Sequence, residues 1–158
     1  MKKRSVTHAT FVIERHYDAS PAHVFNAWAN PEAKRHWFAC SDEWNSIEYA
    51  LDFRVGGREL NRGSPKGVGQ VHAYDATYLE IVPDQRIIYA YDMHLDDTRI
   101  SVSLATVELK AEERGTRLIF TEQGAFLDGW DKPDDREHGT KELLDALGAE
   151  LERQRVTV

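Results

Sequence analysis

The sequence predicts an α+β protein in which a curved antiparallel β-sheet wraps around a long C-terminal helix. Segments that alternate apolar and polar residues follow one another between residues 47 and 123, as in a meander of strands. Two short segments with helix-start signals stand near the N-terminus, and one long amphipathic segment closes the chain. Helices segregated from the strands, rather than alternating with them, favour the α+β class over the α/β class.

The N-terminal part of the chain is predicted to form one strand and two short helices. Residues Thr10 to Tyr17 alternate in polarity and include β-branched and aromatic side chains, which is typical of a half-buried strand. Ser20 stands before Pro21 as an N-cap followed by proline at the first helical position, so we expect a helix from Pro21 to about Ala29. Asn30-Pro31 repeats this signal, and a second helix should reach about Trp37.

The central part of the chain is predicted to form six further strands joined by short turns. Gly56-Gly57 supplies the positive φ angles of a tight hairpin turn, and residues 63–67 form a second, glycine-rich hairpin loop. The predicted strands are Ile47 to Val55, Arg58 to Arg62, Val68 to Ile81, Arg86 to Met93, Arg99 to Leu109 and Thr116 to Gln123. With the first strand, the sheet has about six to seven antiparallel strands.

The C-terminal part is predicted to be a loop from Gly124 to Asp135 and then one long helix from Glu137 to Arg153. Leucines recur on one stripe of this helix, at positions 143, 144, 147 and 151, with charged residues opposite. We expect the stripe to lie on the concave face of the sheet. A chain of 158 residues is the length of one ordinary domain, so residues 8–155 are predicted to form a single domain.

Charge and composition argue against several classes of partner. The formal net charge is −7 and the isoelectric point is about 5.5, which disfavours binding to nucleic acid. No run of about 18 apolar residues is present, so we expect no membrane insertion. Charged residues interrupt the N-terminal segment before an export signal can form, and the single cysteine, Cys40, cannot form an internal disulfide. We therefore expect a soluble, cytoplasmic protein.

Four stretches of the sequence stand in an order and separation that are fairly specific. They are Phe11 to Arg15 with Ala19 to Trp28, Asn30 to Glu32 with His36 to Phe38, Asp52 to Arg58, and the leucines of the C-terminal helix. Together they span nearly the whole chain. In these stretches the chain resembles the SRPBCC superfamily and, within it, the branch named for similarity to the activator of the Hsp90 ATPase.

The resemblance implies the START-like helix-grip fold and a hydrophobic pocket between the sheet and the long helix. Members of the superfamily use this pocket for lipids, polyketides, hormones or client surfaces. Gly129-Trp130 matches a pair that commonly opens the C-terminal helix in this branch, but an acidic insert from Asp131 to Glu137 separates it from the leucine stripe. We interpret the insert as a subfamily trait, and the resemblance does not identify a ligand.

Aromatic side chains are the candidates for the wall of such a cavity. By the period of two in a strand, Tyr89 and Tyr91 share one face with Ile87 and Met93. The predicted cavity residues are Trp28, Trp37, Phe53, Tyr89, Tyr91, Phe120, Glu122, Leu144 and Leu147. Each aromatic residue taken alone is better explained by core packing than by ligand contact, and it is the set that indicates a cavity. Glu122 would have a raised pKa if it were buried beside Phe120, but its place near a predicted strand end favours a solvated carboxylate.

No metal, cofactor or catalytic residue is predicted. The seven histidines form no HExxH motif and no compact cluster with acidic residues. Cys40 lies near His36 and Asp42, which suggests a nucleophile and a base, but we interpret a lone cysteine after a short helix as a small core residue. The acidic residues between positions 128 and 137 are interpreted as a solvated loop that complements the start of the last helix.

The sequence leaves three functions open. The first is a module that binds a hydrophobic small molecule in the cavity, and this interpretation is favoured. The second is a cyclase- or hydrolase-type enzyme that uses Glu122 or Asp92 with Tyr91 or His94 as acid and base. The third, suggested only by the name of the branch, is a co-chaperone that stimulates an Hsp90-type ATPase. A homodimer is compatible with each of them.

Overall fold

Seven antiparallel strands form one curved sheet in the computed structural model, which describes residues 3–156. The strands are β1 (Val6–Tyr17), β2 (Trp44–Leu51), β3 (Arg58–Pro65), β4 (His72–Val82), β5 (Arg86–Leu95), β6 (Thr98–Glu112) and β7 (Gly115–Leu127). The helices are α1 (Pro21–Ala29), α2 (Pro31–Lys34), which continues into a π-helical turn (Arg35–Ala39), and α3 (Pro133–Val156). This arrangement confirms the predicted helix-grip α+β fold.

The strand order is β1-β7-β6-β5-β4-β3-β2, so the first two strands of the chain are the two edges of the sheet. Strands β2 to β7 follow one another as a meander, and β1 pairs with the last of them. The two short helices lie in the connection between the edges. This topology leaves the concave face of the sheet for α3 and the short helices to cover.

Several predicted boundaries are wrong at the ends of strands. The predicted loop at residues 63–67 is largely strand, because Gly63 and Ser64 pair with Ser46 and Asn45 of β2. The strand predicted to begin at Val68 begins at His72, after a turn in which Gly67 has a φ of 81°. Gly67 marked the turn correctly, whereas Gly63 and Pro65 belong to β3 and pair with β2.

The predicted loop from Gly124 to Asp135 is wrong at both ends. Residues 124–127 extend β7, because they pair with residues 6–9 of β1. Helix α3 begins at Pro133, four residues before the predicted Glu137, and places Asp134 and Asp135 in its first turn. Carboxylates are favourable there because the free N–H groups of a helix start carry partial positive charge. The acidic insert is therefore mostly part of the helix.

The two short helices begin at the predicted caps. The Ser20 hydroxyl accepts a hydrogen bond from the backbone N–H of His23, at 3.2 Å. The Asn30 side chain accepts two, from Glu32 at 3.0 Å and from Ala33 at 3.1 Å. Each cap satisfies donors that have no partner within the helix itself. The caps therefore fix the direction in which each short helix leaves the preceding chain.

Replacing Asn30 by alanine should lower the free energy of unfolding by about 1 kcal/mol, because two backbone N–H groups lose their acceptor. The measurement is urea denaturation followed by tryptophan fluorescence. Asn26, an exposed residue within α1, provides the matched control, since Asn26→Ala removes the same amide without removing a cap. Equal stability of the Asn30→Ala variant and the native protein would contradict the capping role.

Helix α3 lies with its leucine stripe against the concave face of the sheet. Leu144, Leu147 and Leu151 are buried in the main core. The Tyr17 hydroxyl at the end of β1 donates to the Leu144 carbonyl oxygen at 2.7 Å. A Cβ atom at Gly148 would lie 3.2 Å from the Tyr17 ring, so the glycine lets helix and ring approach closely. These contacts fix the rotation of α3 and hence which side chains it turns toward the sheet.

Candidate ligand-binding cavity

A cavity of about 840 Å³ lies among the concave face of the sheet, the short-helix segment and α3. Its aromatic lining residues are Trp28, Trp37, Phe38, Trp44, Tyr74, Tyr89, Tyr91 and Phe120. Helix α3 contributes Thr140, Leu143 and Leu144 on the opposite side. A space of this size, lined mainly by apolar and aromatic side chains, is typical of sites for small molecules.

Seven of the nine residues predicted for the cavity line it: Trp28, Trp37, Tyr89, Tyr91, Phe120, Glu122 and Leu144. Phe53 is not among the lining residues, and its ring instead packs against Phe25 at 5.6 Å and Tyr78 at 4.9 Å. Leu147 is fully buried in the core under α3. That the lining residues contact a ligand stays a prediction.

The aromatic wall follows from strand periodicity and from cross-strand pairing. Tyr89 and Tyr91 alternate with more exposed residues on β5, as the sequence predicts. Tyr74 of β4 lies beside them, with its ring centroid 4.8 Å from that of Tyr91. On the helical side, Trp28 and Trp37 meet edge to face at 4.9 Å, and the Trp37 indole N–H donates to the Ala27 carbonyl oxygen. Such ring pairs hold one another in place.

A buried carboxylate lies among the residues of this wall. Glu122 is only 1% exposed, and the Tyr91 hydroxyl, 2.9 Å from Oε1 and 2.8 Å from Oε2, donates to it. Burial raises the pKa of the Glu122 carboxyl, and the nearby Arg136 guanidinium opposes that change. The interpretation of Glu122 as solvated is wrong, because β7 continues to Leu127 and this position is therefore not near a strand end.

Arg136 of α3 covers the carboxylate from the opposite side. Its Nη1 lies 3.6 Å from Glu122 Oε2 and donates to the Tyr91 hydroxyl at 3.0 Å. Its Nη2 donates to Ser101 Oγ and to Asp131 Oδ2, both at 2.8 Å. The sequence interpretation missed Arg136 by placing it in a solvated acidic loop. The spacing from Arg136 to Leu143 and Leu144, seven and eight residues later, was the available signal that it shares the buried face.

A second buried network, also missed by the sequence interpretation, lies behind the short-helix side of the cavity. Lys34 and Glu59 are both fully buried, with Nζ and Oε1 3.0 Å apart. Tyr49 and Tyr78 donate to the two oxygens of Glu59 at 2.6 Å and 2.8 Å. Burial lowers the pKa of the Lys34 ammonium, and the charge of Glu59 opposes that change.

The Lys34 ammonium also contacts the aromatic wall from behind. Its Nζ lies 4.4 Å from the ring centroid of Phe38, 5.0 Å from that of Trp28 and 5.4 Å from that of Trp37. These three rings line the cavity. Cation–π attraction of this kind is favourable, and more so when the ammonium is desolvated. The ion pair thus joins the short-helix segment to β3 and supports the wall.

Asp92 and His94, which the sequence singled out as a possible acid and base, lie outside the cavity lining. Asp92 and His94 lie on the opposite face of β5 from Tyr91, and Asp92 accepts a hydrogen bond from Arg99 at 3.0 Å. Cys40 is at the cavity rim but is exposed, so its interpretation as a small core residue is wrong. It is exposed because the π-helical turn ends at Ala39 and the chain leaves the core there.

Residues 3–156 contain no group of three or more histidine, cysteine, aspartate or glutamate side chains arranged to hold a metal ion. None of the helices in this range combines the length and the apolar character needed to cross a bilayer.

A family model matches most of this chain. Residues 18–152 match the family model described as Activator of Hsp90 ATPase homolog 1-like protein. The chain belongs to this family. The finding confirms the resemblance derived from the four sequence stretches. No curated protein matches the sequence.

Solved structures of family relatives share the whole architecture. An uncharacterized protein from Rhizobium leguminosarum is 55% identical, with a TM-score of 0.91 over 96% of this chain and 99% of that one. Protein Mll3558 from Rhizobium loti is 48% identical, with a TM-score of 0.85 over 92% of this chain and 99% of that one. The AHSA1-like protein from Aeromonas hydrophila, at 20% identity and a TM-score of 0.68 over 92% and 94%, shows the shared fold.

Proposed function

We propose that this member of the family binds a hydrophobic small molecule in the cavity between the sheet and α3. The observation that carries the proposal is the cavity itself, about 840 Å³ with eight aromatic lining residues. Its walls are more apolar than polar in surface, and their polar groups include the Tyr91 hydroxyl and Arg136. Sites that select one orientation of a small apolar molecule have this composition.

The energetics favour an apolar occupant. A molecule that buries about 300 Å² of apolar surface in the cavity gains about 7.5 kcal/mol at about 25 cal/mol per Å². Lost translational and rotational freedom offsets a large part of this gain. The cavity walls add little further cost, because Trp28, Trp37 and the Tyr74–Tyr91 pair already hold one another through ring contacts. Preorganised walls of this kind favour affinity.

The geometry of Glu122 supports binding rather than acid–base catalysis. A general acid or base must reach the substrate, directly or through one water. Both oxygens of Glu122 lie within hydrogen-bond distance of Tyr91, and Arg136 covers the remaining side. Asp92 and His94 lie on the other face of the sheet. The network therefore supports the shape and polarity of the cavity wall.

Calorimetric titration with 2-naphthalenemethanol and with 1-decanol, two uncharged apolar probes, tests the proposal. We expect saturable 1:1 binding of at least one of them. The variant Gly139→Phe should weaken that binding at least about tenfold, because Gly139 lines the cavity and, apart from its chain neighbours and the nearby backbone of α3, no atom lies within 4 Å of a Cβ added there. Phenylalanine also has a higher helix propensity than glycine, so α3 should remain folded.

Ala149→Phe is the matched control, since Ala149 is an exposed residue of the same helix and does not line the cavity. It should leave the affinity unchanged. The proposal is wrong if neither probe binds to the native protein, or if Gly139→Phe and Ala149→Phe bind the probe equally well.

A further inference from the structure

The charge on the cavity lining is strongly one-sided. Six carboxylate residues are among the lining residues: Asp42, Glu43, Glu122, Asp131, Asp135 and Glu142. Among the lining residues within positions 3–156, Arg136 is the one lysine or arginine. A cavity with low-dielectric walls and charges of one sign focuses the electric field on its interior. Even the exposed carboxylates of this lining therefore attract or repel the charge of a bound molecule.

Arg136 offers no free positive charge to a ligand. Its guanidinium lies 2.8 Å from the Asp131 carboxylate and 3.6 Å from that of Glu122. His72 also lines the cavity, but burial lowers its pKa below the ordinary 6.5, so it is neutral at pH 7. A ligand carboxylate or phosphate would therefore find no unpaired positive side chain in the described cavity lining.

The exposed lining carboxylates Asp42, Glu43 and Asp135, here called the rim carboxylates, are in contrast available to a ligand. Within residues 3–156, Asp42, Glu43 and Asp135 form no ion pair, and all three are exposed. Asp42 and Glu43 follow the π-helical turn, Asp135 lies in the first turn of α3, and all three line the same cavity. Carboxylates from two separate segments of the chain are therefore open to a positive group at this cavity.

The aromatic lining residues suit the same charge. The faces of tryptophan and tyrosine rings carry negative electrostatic potential and attract ammonium groups within about 6 Å. The Lys34 ammonium, which is not among the lining residues, already makes such cation–π contacts with the Trp28, Trp37 and Phe38 rings. Trp44, a lining residue at the rim beside Glu43, is 38% exposed and places an indole ring next to the carboxylates.

We propose that the ligand of this cavity is a hydrophobic cation, an amine or quaternary ammonium carried on an aromatic or aliphatic body. The inference rests on the proposed binding function and specifies its ligand class. The apolar body occupies the aromatic interior, and the positive group lies at the acidic rim. Anionic amphiphiles such as fatty acids are disfavoured by the same charges.

Three probes of nearly equal size and different charge test the inference: 2-naphthylmethylammonium, 2-naphthalenemethanol and 2-naphthoate. At pH 7 and low ionic strength we expect the cation to bind about tenfold more tightly than the alcohol, and the naphthoate to bind at least about tenfold more weakly. Raising the salt concentration from about 20 mM to about 300 mM should reduce the preference for the cation, because it shortens the screening length.

Charge variants identify the source of the preference. The triple variant Asp42→Asn, Glu43→Gln, Asp135→Asn should lose most of the preference for the cation and keep its affinity for the alcohol. The control triple variant Asp84→Asn, Glu112→Gln, Glu113→Gln removes the same charge from turns at the other end of the sheet, away from the cavity lining. It should bind all three probes as the native protein does.

The possible outcomes separate this inference from the proposed function. Binding of the alcohol with an equal or lower affinity for the cation would overturn the cation inference and leave the binding function intact. An equal loss of preference in both triple variants would also overturn it, because the net charge and not the rim would then be responsible. If none of these three probes binds and 1-decanol does not bind either, both proposals fail. Binding of 1-decanol alone would overturn the cation inference and leave the binding function intact.

Discussion

Replacing Glu59 by leucine should lower the free energy of unfolding by about 3–5 kcal/mol. The change leaves the fully buried Lys34 ammonium without its counter-charge, and it removes the acceptor of the Tyr49 and Tyr78 hydroxyls. A buried charge without a partner is destabilising because it has lost its hydration and no hydrogen bond or ion pair replaces it. Urea denaturation at pH 7, followed by tryptophan fluorescence, measures the loss.

Two further variants test whether the buried pair is the cause. Lys34→Met should cost less than Glu59→Leu, because the Glu59 carboxylate keeps its two tyrosine donors. Glu48→Leu removes a carboxylate from an exposed pair with Arg62, at 3.9 Å, and should change stability by less than about 1 kcal/mol. A loss as small as this in Glu59→Leu would contradict the structural role of the pair.

Replacing Arg136 by leucine should lower the free energy of unfolding by about 3 kcal/mol at pH 7, and the loss should be smaller in acid. Without the guanidinium, the pKa of the buried Glu122 carboxyl rises further above its ordinary value of 4.5. The native state then binds a proton that the unfolded state releases, so stability falls as the pH rises from 4.5 through the raised native pKa. Below pH 4.5 the Glu122 carboxyl is protonated in both the native and the unfolded state, and the variant is then least destabilised relative to the native protein.

The double variant Arg136→Leu, Glu122→Gln is the control for this pH dependence. Neither this double variant nor the Glu122→Gln single variant has an ionisable carboxyl at position 122. The difference between their free energies of unfolding should therefore stay constant between pH 4.5 and pH 7. Urea denaturation at a series of pH values provides the comparison. A deficit in Arg136→Leu that is constant over this range would show that Glu122 is not the group responsible.

The order of elements could be predicted from the sequence because each element carries a local signal. Ser20-Pro21 and Asn30-Pro31 specify helix starts that the structure confirms through side-chain caps. The ends of β3 and β7 could not be predicted, because they depend on which partner strand extends beside them. Pairing over more than 100 residues, as between β1 and β7, leaves no local pattern.

The aromatic part of the candidate cavity was predictable, whereas its charged part was not. Strand periodicity places Tyr89 and Tyr91 on one face without any knowledge of their neighbours. Glu59 gives the opposite signal, because the apolar Leu60 beside it suggests that Glu59 faces solvent. Its burial depends on Lys34, which is 25 positions away in the sequence. A buried ion pair of this kind is visible only when both partners are in place.

The position of β2 at the edge of the sheet determines which part of the cavity wall is least costly to displace. Trp44, Asn45 and Ser46 of this strand form part of the cavity rim, and among the described strands β2 pairs only with β3. An inner strand is held by two ladders of hydrogen bonds, and β2 by one. Displacing β2 therefore breaks fewer bonds than displacing any inner wall strand. The part of the cavity wall around Trp44 is therefore the least costly to move, because only the β2–β3 ladder of hydrogen bonds holds it in the sheet.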